Sequence, residues 1–304
     1  MMRVSVVIPS YRRGAIVAST IEALRSLVPA PDEIILVDQT EQHPKDVEAR
    51  LTALANAGVF DWRRLDRPSI PGAMNVGLSV AQGDIVLFLD DDIVPDLNLL
   101  RSHLSAHAVA GSALVAGMVL QPGQRPEALR SGEGFRFNST DPANVNEFMG
   151  GNFSVQRELA LRLGGFDENF VGAAYRFEAE FAHRYVKQYG LISYEPRAII
   201  KHLAIPSGGT RAHGHHLRSL SPAHSVGAYY CFLVTRKSGW LIDLLWRMIR
   251  SVRTRHHLRR PWWIPVTLVA EIRGLFWALS LLRQGQRLLP SLRQGPEVIS
   301  ERER

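Results

Sequence analysis

Three consecutive carboxylates, Asp90, Asp91 and Asp92, follow directly on the apolar run Ile85-Val-Leu-Phe-Leu89. Such a run reads as a buried strand, so the acidic triplet stands where that strand emerges, and mutual repulsion makes the arrangement costly. A divalent cation removes the cost. Hard oxygen ligands favour Mg²⁺ or Mn²⁺, ions that in turn bridge the oxygens of a diphosphate. The alternative is an acidic turn capping the next helix. A second carboxylate, Asp38, ends the run Ile34-Ile-Leu-Val-Asp38, where it could accept hydrogen bonds from a base or ribose, or cap a turn. Glu178 and Glu180 add acid on an expected helix. Residues i and i+2 point apart there, so one of the two faces the site, and one general base is what a proton transfer needs.

These side chains come from distant segments and need a scaffold that gathers them. The first two thirds of the chain alternate short β-branched runs with helical spacing, the signature of a mostly parallel sheet covered by helices. Residues 4–9, 33–38 and 84–89 read as strands, and 15–27 and 47–57 as helices; Pro71 suits the first turn of a helix running to Val80. Residues 112–120 read as a further strand. Residues 121–146, rich in Gly, Pro, Ser and Asn, read as a long loop of the kind that forms lids. Helices over 157–163 and 175–189 precede a strand near 198–202, and Pro206-Ser-Gly-Gly-Thr-Arg211 marks a flexible boundary. Ligands of such sheets sit beyond the carboxyl ends of the strands, which selects Tyr11, Asp38 and Asp90 to Asp92.

Seven segments stand in a recognisable order: Val4-Ser-Val-Val-Ile-Pro-Ser-Tyr11, the strand ending in Asp38, Gly72-Ala-Met-Asn-Val-Gly77, Phe88-Leu-Asp-Asp-Asp92, Gly150-Gly-Asn-Phe153, Gly164-Gly-Phe-Asp-Glu168 and Phe177-Glu-Ala-Glu180. Each alone is weak; their collinearity is specific. The chain resembles the family 2 glycosyltransferases from about residue 3 to about residue 211. The resemblance implies a GT-A type fold, a Rossmann-like mixed sheet flanked by helices. It also implies an inverting transfer from a nucleoside-diphosphate sugar, with Mg²⁺ or Mn²⁺ held through a D-x-D motif. By the same resemblance Pro9 and Tyr11 match the nucleotide-binding loop, Asp38 the nucleobase contact, and Asn75 the segment beside the donor. Asp90 and Asp91 fall at the nucleotide or sugar, Asp92 at the metal, and His202 resembles a late histidine that holds metal or diphosphate in some members. Read alone, such a residue is more often a satisfied core histidine. Two departures stand out. Glu178 occupies the position of the base, preceded by Phe177 where an acidic residue is common; Met74 replaces a frequent arginine, leaving Arg12 or Arg211 to supply that donor contact.

The 304 residues, 46% apolar and 21% charged, suffice for one large α/β domain plus an appendage. The single cysteine, Cys231, excludes a disulfide framework and a thiolate-rich metal site and fits a reducing compartment. The N-terminal run is too short for a signal-peptide core. Charge divides unevenly: residues 201–304 carry 17 Lys and Arg against 5 Asp and Glu, net +12, whereas residues 1–200 carry 19 against 24, net −5. The expected organisation is a catalytic domain over 1–211 and a basic, amphipathic α-helical appendage over 212–304.

In that appendage Leu241, Leu244, Leu245, Met248, Ile249 and Val252 recur at helical spacing opposite Arg247, Arg250 and Arg253, with Trp240 and Trp246 at the borders. The pattern fits a helix resting in a bilayer interface or one packed on the catalytic domain. Residues 261–282 are strongly apolar, but Glu271 and Arg273 near their centre would each cost roughly 2.5–3.5 kcal/mol in a spanning helix. Peripheral or monotopic attachment to the inner face of the cell membrane follows, suiting a lipid-linked or glycan acceptor, and the aromatic and aliphatic content argues against a nucleic-acid partner. His213, His215 and His216 match no common zinc spacing and read as a glycine-flanked flap over the donor. Two rival readings remain, a sugar-phosphate nucleotidyltransferase and a catalytically inactive membrane-bound scaffold of the same fold.

Overall fold

Strands that are apolar at both side-chain parities can be buried on both faces only inside a sheet covered by helices. The computed structural model, which describes residues 2–109, 113–130, 132–214 and 216–290, places them there. Its strands are β1 (Val4–Ser10), β2 (Glu33–Asp38), β3 (Asp61–Arg64), β4 (Ile85–Leu89), β5 (Ile93–Pro95), β6 (Leu114–Leu120), β7 (Ala143–Val145), β8 (Asn152–Gln156) and β9 (Ile192–His202). They form a nine-stranded sheet in the order β3-β2-β1-β4-β8-β6-β9-β5, with β7 added against β9. β3, β2, β1 and β4 run parallel, and Ser10 stands opposite Asp38 in the ladder. β8 enters antiparallel to both β4 and β6, making the sheet mixed.

Alternation along the strands divides the core in two. Val6, Ile8, Leu36 and Leu87 pack with α1 (Ile16–Arg25), α2 (Lys45–Asn56) and α4 (Leu99–Ala108). Val7, Ile35, Val86 and Phe88 pack with α3 (Ile70–Val80), α5 (Arg157–Arg162) and α6 (Phe177–Tyr189). Phenylalanines tie α6 to the sheet: Phe166 stacks on Phe181 at 4.6 Å between centroids and meets Phe88 edge-on at 5.3 Å. Each fully buried ring contributes about 1.5–3 kcal/mol, so the helix carrying the two glutamates is firmly seated.

β8 and α4 were not anticipated, and the reason is chemical. Asn152 and Ser154 of β8 are buried polar residues satisfied by histidines on the buried face of α4. His103 bonds Asn152 Oδ1 at 3.0 Å and Ser154 Oγ at 2.8 Å, and His107 meets the same hydroxyl at 2.8 Å. Burial pushes His103 down to about 4, keeping it neutral. Polar side chains on inward faces hide both elements from a hydrophobic pattern. The long loop over 121–146 is pinned by Phe135, 4.8 Å from Tyr194, and by the Tyr194 hydroxyl donating to Ser139 O at 2.8 Å. The expected start of β6 at Ser112 lies outside the described residues.

The C-terminal part comprises α7 (Val226–Thr235), α8 (Trp240–Val252), α9 (Arg255–Arg259) and α10 (Ile264–Gln284). Tyr229, Tyr230 and Cys231 of α7 and Ala278 and Leu281 of α10 join the same hydrophobic cluster as α6. The chain then returns to the Gly164–Asn169 turn, where Glu168 N donates to Arg287 O at 3.0 Å and Leu289 N to Gly164 O at 2.8 Å.

Candidate active site

Asp90 to Asp92 follow β4 through a bend at Asp91 and Asp92 that leads into β5, and their side chains diverge. Asp90 and Asp92 turn to one side, together with His202 at the end of β9. Ligand atoms of these three lie within 4.8 Å of one another, the one such group found among the described residues. Gly151 of the neighbouring turn admits Asp90, because a Cβ there would overlap its carboxylate. Asp92 is fully buried, with Oδ2 accepting the Ile205 N–H at 2.9 Å and Oδ1 facing His202 Nε2 at 3.1 Å. Although burial opposes its charge, His202 and the Ile205 N–H hold Asp92 below the usual carboxylate range.

His202 Nδ1 lies 2.9 Å from Gln121 Oε1, an acceptor. The Gln121 oxygen favours a proton on Nδ1, and the Asp92 carboxylate beside Nε2 favours one there too, raising the His202 pKa; a bound cation would take the place of the Nε2 proton. Two carboxylates and an imidazole form a donor set that Mn²⁺ accepts readily and Mg²⁺ tolerates. The residues present fit a divalent cation.

Asp91 turns the other way, onto Arg13. Arg13 Nε lies 2.9 Å from Asp91 Oδ1 and its Nη1 3.3 Å from Asp92 Oδ2, with all three side chains buried. The same guanidinium donates to the carbonyls of Ile205 (3.2 Å) and Ser207 (3.0 Å). Burial pushes Asp91 up to about 7 despite the Arg13 cation beside it. Gly209 N donates to Tyr11 O at 2.7 Å, and a Cβ at Gly208 would overlap Arg12 O. The glycine-rich 206–211 segment is thus strapped across the ends of β1 and β4. Sequence reasoning chose Arg12, whose exposed side chain pairs with Glu41 at 2.8 Å, and missed Arg13. Nothing in the residue order distinguished the two.

Glu180 is 2% exposed and bound at both oxygens by Arg184, at 2.7 and 2.8 Å, and at one by Gln286. Glu178 is the partner left for chemistry. Burial pushes it up to about 7, against the pull of Arg176, and the Asp90 charge adds to the rise. Phe177, 8% exposed, packs 5.9 Å from the Phe166 ring, so its apolar character serves the core beneath Glu178.

Residues 5–180 match the family model for Glycosyl transferase family 2. The chain belongs to glycosyl transferase family 2. It is 27% identical over 208 residues to the pre-mycofactocin glycosyltransferases of two Mycobacterium tuberculosis strains, CDC 1551 / Oshkosh and H37Rv, a span of 66% of this chain and 42% of each relative. It therefore spans under half the length of those curated relatives. Among solved structures it is similar to the mannosyltransferase PcManGT from Pyrobaculum calidifontis in complex with GDP-Man and Mn²⁺, with a TM-score of 0.54, 17% identity and coverage of 93% of this chain and 79% of that one. GalNAc-T7 with UDP, GalNAc and Mn²⁺ gives a TM-score of 0.54 at 16% identity, covering 66% of this chain and 44% of that one. The shared feature is the GT-A fold.

The remaining residues singled out in this family 2 chain are placed as follows. Asp38 is buried; its oxygens take the His43 Nε2 contact at 2.6 Å, the Trp62 indole N–H at 3.1 Å and the Thr40 N–H at 2.9 Å. Beyond β1 and β2 lies a cavity of about 420 Å³, lined by Arg12, Arg13, Thr40, Glu41, His43 and Ser207; Pro9 and Tyr11 precede Arg12 in the chain and are not among its lining residues. Asn75 is 1% exposed and clamps the Gly164–Glu168 turn, donating to Phe166 O and accepting from Phe166 N at 2.8 Å each. Arg211 is exposed and donates to Ile205 O at 2.8 Å. His213 lies beside His224 with centroids 6.4 Å apart; His215 is outside the described residues.

Proposed function

We propose that this chain is an inverting, divalent-cation-dependent glycosyltransferase that moves a sugar from a nucleoside diphosphate to a hydroxyl of a lipid-linked or glycan acceptor at a membrane surface. The observation that carries the reading is the convergence of Asp90, Asp92 and His202 at the strand edge, with a raised carboxylate, Glu178, in electrostatic range of Asp90. Family membership supports the transfer, and the nucleotide and Mn²⁺ held by two similar structures support the donor and the ion.

Asp90, Asp92 and His202 would hold the cation, which when bound neutralises charge gathering on the departing diphosphate. Glu178, preferring its proton up to about pH 7, accepts the acceptor's hydroxyl proton as that oxygen attacks the anomeric carbon. The bond from that carbon to the diphosphate oxygen breaks with its electron pair on the diphosphate, inverting the centre. Arg13 and the strapped 205–209 segment keep Asp92 aimed and exclude water from beneath it.

Attachment to a membrane is proposed from the C-terminal helices. Leu241, Leu245 and Trp246 of α8 and Phe276 and Trp277 of α10 are exposed. Residues Pro261–Gln284 are long and apolar enough to span a bilayer, yet Ala270, Gly274, Ala278 and Leu281 of this helix are buried on the protein and Glu271 pairs with Arg247 at 2.9 Å. An interfacial position satisfies both faces. Product analysis tests the reaction: a nucleoside diphosphate released with inversion is expected, and pyrophosphate released from a nucleoside triphosphate would refute it.

A further inference from the structure

A cavity of about 570 Å³ lies apart from the strand-end site, walled by α8, α10, the segment ahead of α7 and the turn that leads into α6. Its lining includes Arg176, Arg247, Arg250 and His224, against a single carboxylate among the described residues, Glu271. That carboxylate is already committed, its Oε2 lying 2.9 Å from Arg247 Nε. Arg176 and Arg250 have partners outside the lining, Glu147 at 3.0 Å and Asp243 at 3.6 Å, both on half-exposed side chains. Solvent screens such pairs and leaves them easily exchanged.

The wall adjoins the proposed base. Tyr175 and Arg176 line the cavity, Glu178 follows two residues later, and the Arg176 charge reaches the Glu178 carboxylate. Arg176 also adopts a left-handed backbone, φ 71°, as does Ala174 at φ 50°. Non-glycine residues keep that conformation where the surroundings over-determine them, as at ligand-gripping turns.

We propose that this cavity binds a phosphate or diphosphate group of the acceptor and so delivers the acceptor's hydroxyl to Glu178. This deepens the transferase reading and rests on it: the acceptor is phosphorylated. Planar guanidinium forks match phosphate oxygens two at a time, and a cavity of this size takes a diphosphate with part of a sugar. The helix that supplies Arg247 and Arg250 also exposes Leu241, Leu245 and Ile249, so a lipid tail would find apolar surface beside the basic cavity. A lipid-linked phosphate and a soluble sugar phosphate share this chemistry.

The test is calorimetric titration of the full chain with inorganic pyrophosphate in chelator, where the strand-end site has no cation to bind it. Wild-type protein should bind, and Arg250→Glu should weaken binding by about tenfold or more, the worth of one charge-assisted hydrogen bond, with Arg250→Lys restoring part of it. Arg250 is 61% exposed, so both variants should fold; unchanged melting curves confirm that. Equal affinity in wild type and Arg250→Glu, or no binding to either, overturns the proposal. Flotation with phosphatidylcholine vesicles with and without a polyprenyl phosphate separates the sources: dependence on that lipid, lost in Arg250→Glu, assigns a lipid-linked acceptor, and pyrophosphate binding without it assigns a soluble one. Titrating uridine or guanosine diphosphate with Mn²⁺ reports on the transferase reading independently of either result.

Discussion

The molecule gathers charge at two places with opposite signs in excess. At the end of β4 one guanidinium, Arg13, lies between two buried carboxylates, with Asp90 beside them; beside α8 one carboxylate, Glu271, holds one of three arginines that line a cavity. Each minority ion fixes part of the majority; at the strand end the remaining acid faces His202, and at the cavity Arg176 and Arg250 pair with half-exposed Glu147 and Asp243, arrangements that suit the proposed cation and the proposed anion. The split of net charge, −5 over the first 200 residues and +12 over the rest, is the same asymmetry seen at the scale of the chain. A buried ion pair contributes little net stability but fixes geometry, which suits sites that must hold unpaired charge in readiness.

The comparison breaks first at Asp92. Asp92→Asn keeps the shape and removes the charge, so kcat should fall by about 10³-fold or more, with the melting temperature little changed. Arg13→Met should leave Asp91 and Asp92 without their counter-ion and cost about 3–5 kcal/mol of stability by urea denaturation; adding Asp91→Asn should recover part of it. Recovery would show that the arginine acts through the carboxylates. Glu178→Gln should lower kcat by about 10²-fold while donor affinity holds. Wild-type kcat should rise with pH through about 7 and level above it, because the base works deprotonated. The stability sign is opposite: a carboxyl raised by burial stabilises the fold while protonated and loses that contribution as pH climbs from its ordinary value towards 7. Glu178→Gln should therefore gain more in melting temperature at about pH 8 than at about pH 5. The smallest effect belongs to the basic side, where Trp246→Glu with Phe276→Glu should shift protein from the membrane pellet to the supernatant. Unchanged partition would remove the interfacial assignment.

Much of the scaffold was legible because apolar strands announce themselves. β2 and β4 matched to within a residue, and the acidic residues at their ends followed. β8 and α4 were not legible, since their inward faces carry Asn152, Ser154, His103 and His107, a network visible only once the elements meet. Helical spacing predicted that Glu178 and Glu180 would part; which one remained for chemistry depended on Arg184, one turn onward, and on Gln286, 106 residues away. Arg13 and Gln121 could not be found from order alone, because their roles come from chain segments that pass over them. By sequence the appendage reads as one apolar stripe. The structure splits it: Trp240, Leu244 and Met248 pack inward while Leu241, Leu245 and Ile249 stay exposed.

The central claim is that Asp90, Asp92 and His202 hold a divalent cation beneath a nucleoside diphosphate. Electron paramagnetic resonance of Mn²⁺, titrated with wild-type protein and with Asp92→Asn in the presence of uridine or guanosine diphosphate, tests it most directly. The account predicts a bound Mn²⁺ signal that needs both the nucleotide and the Asp92 carboxylate. Equal Mn²⁺ binding by wild type and Asp92→Asn would contradict it.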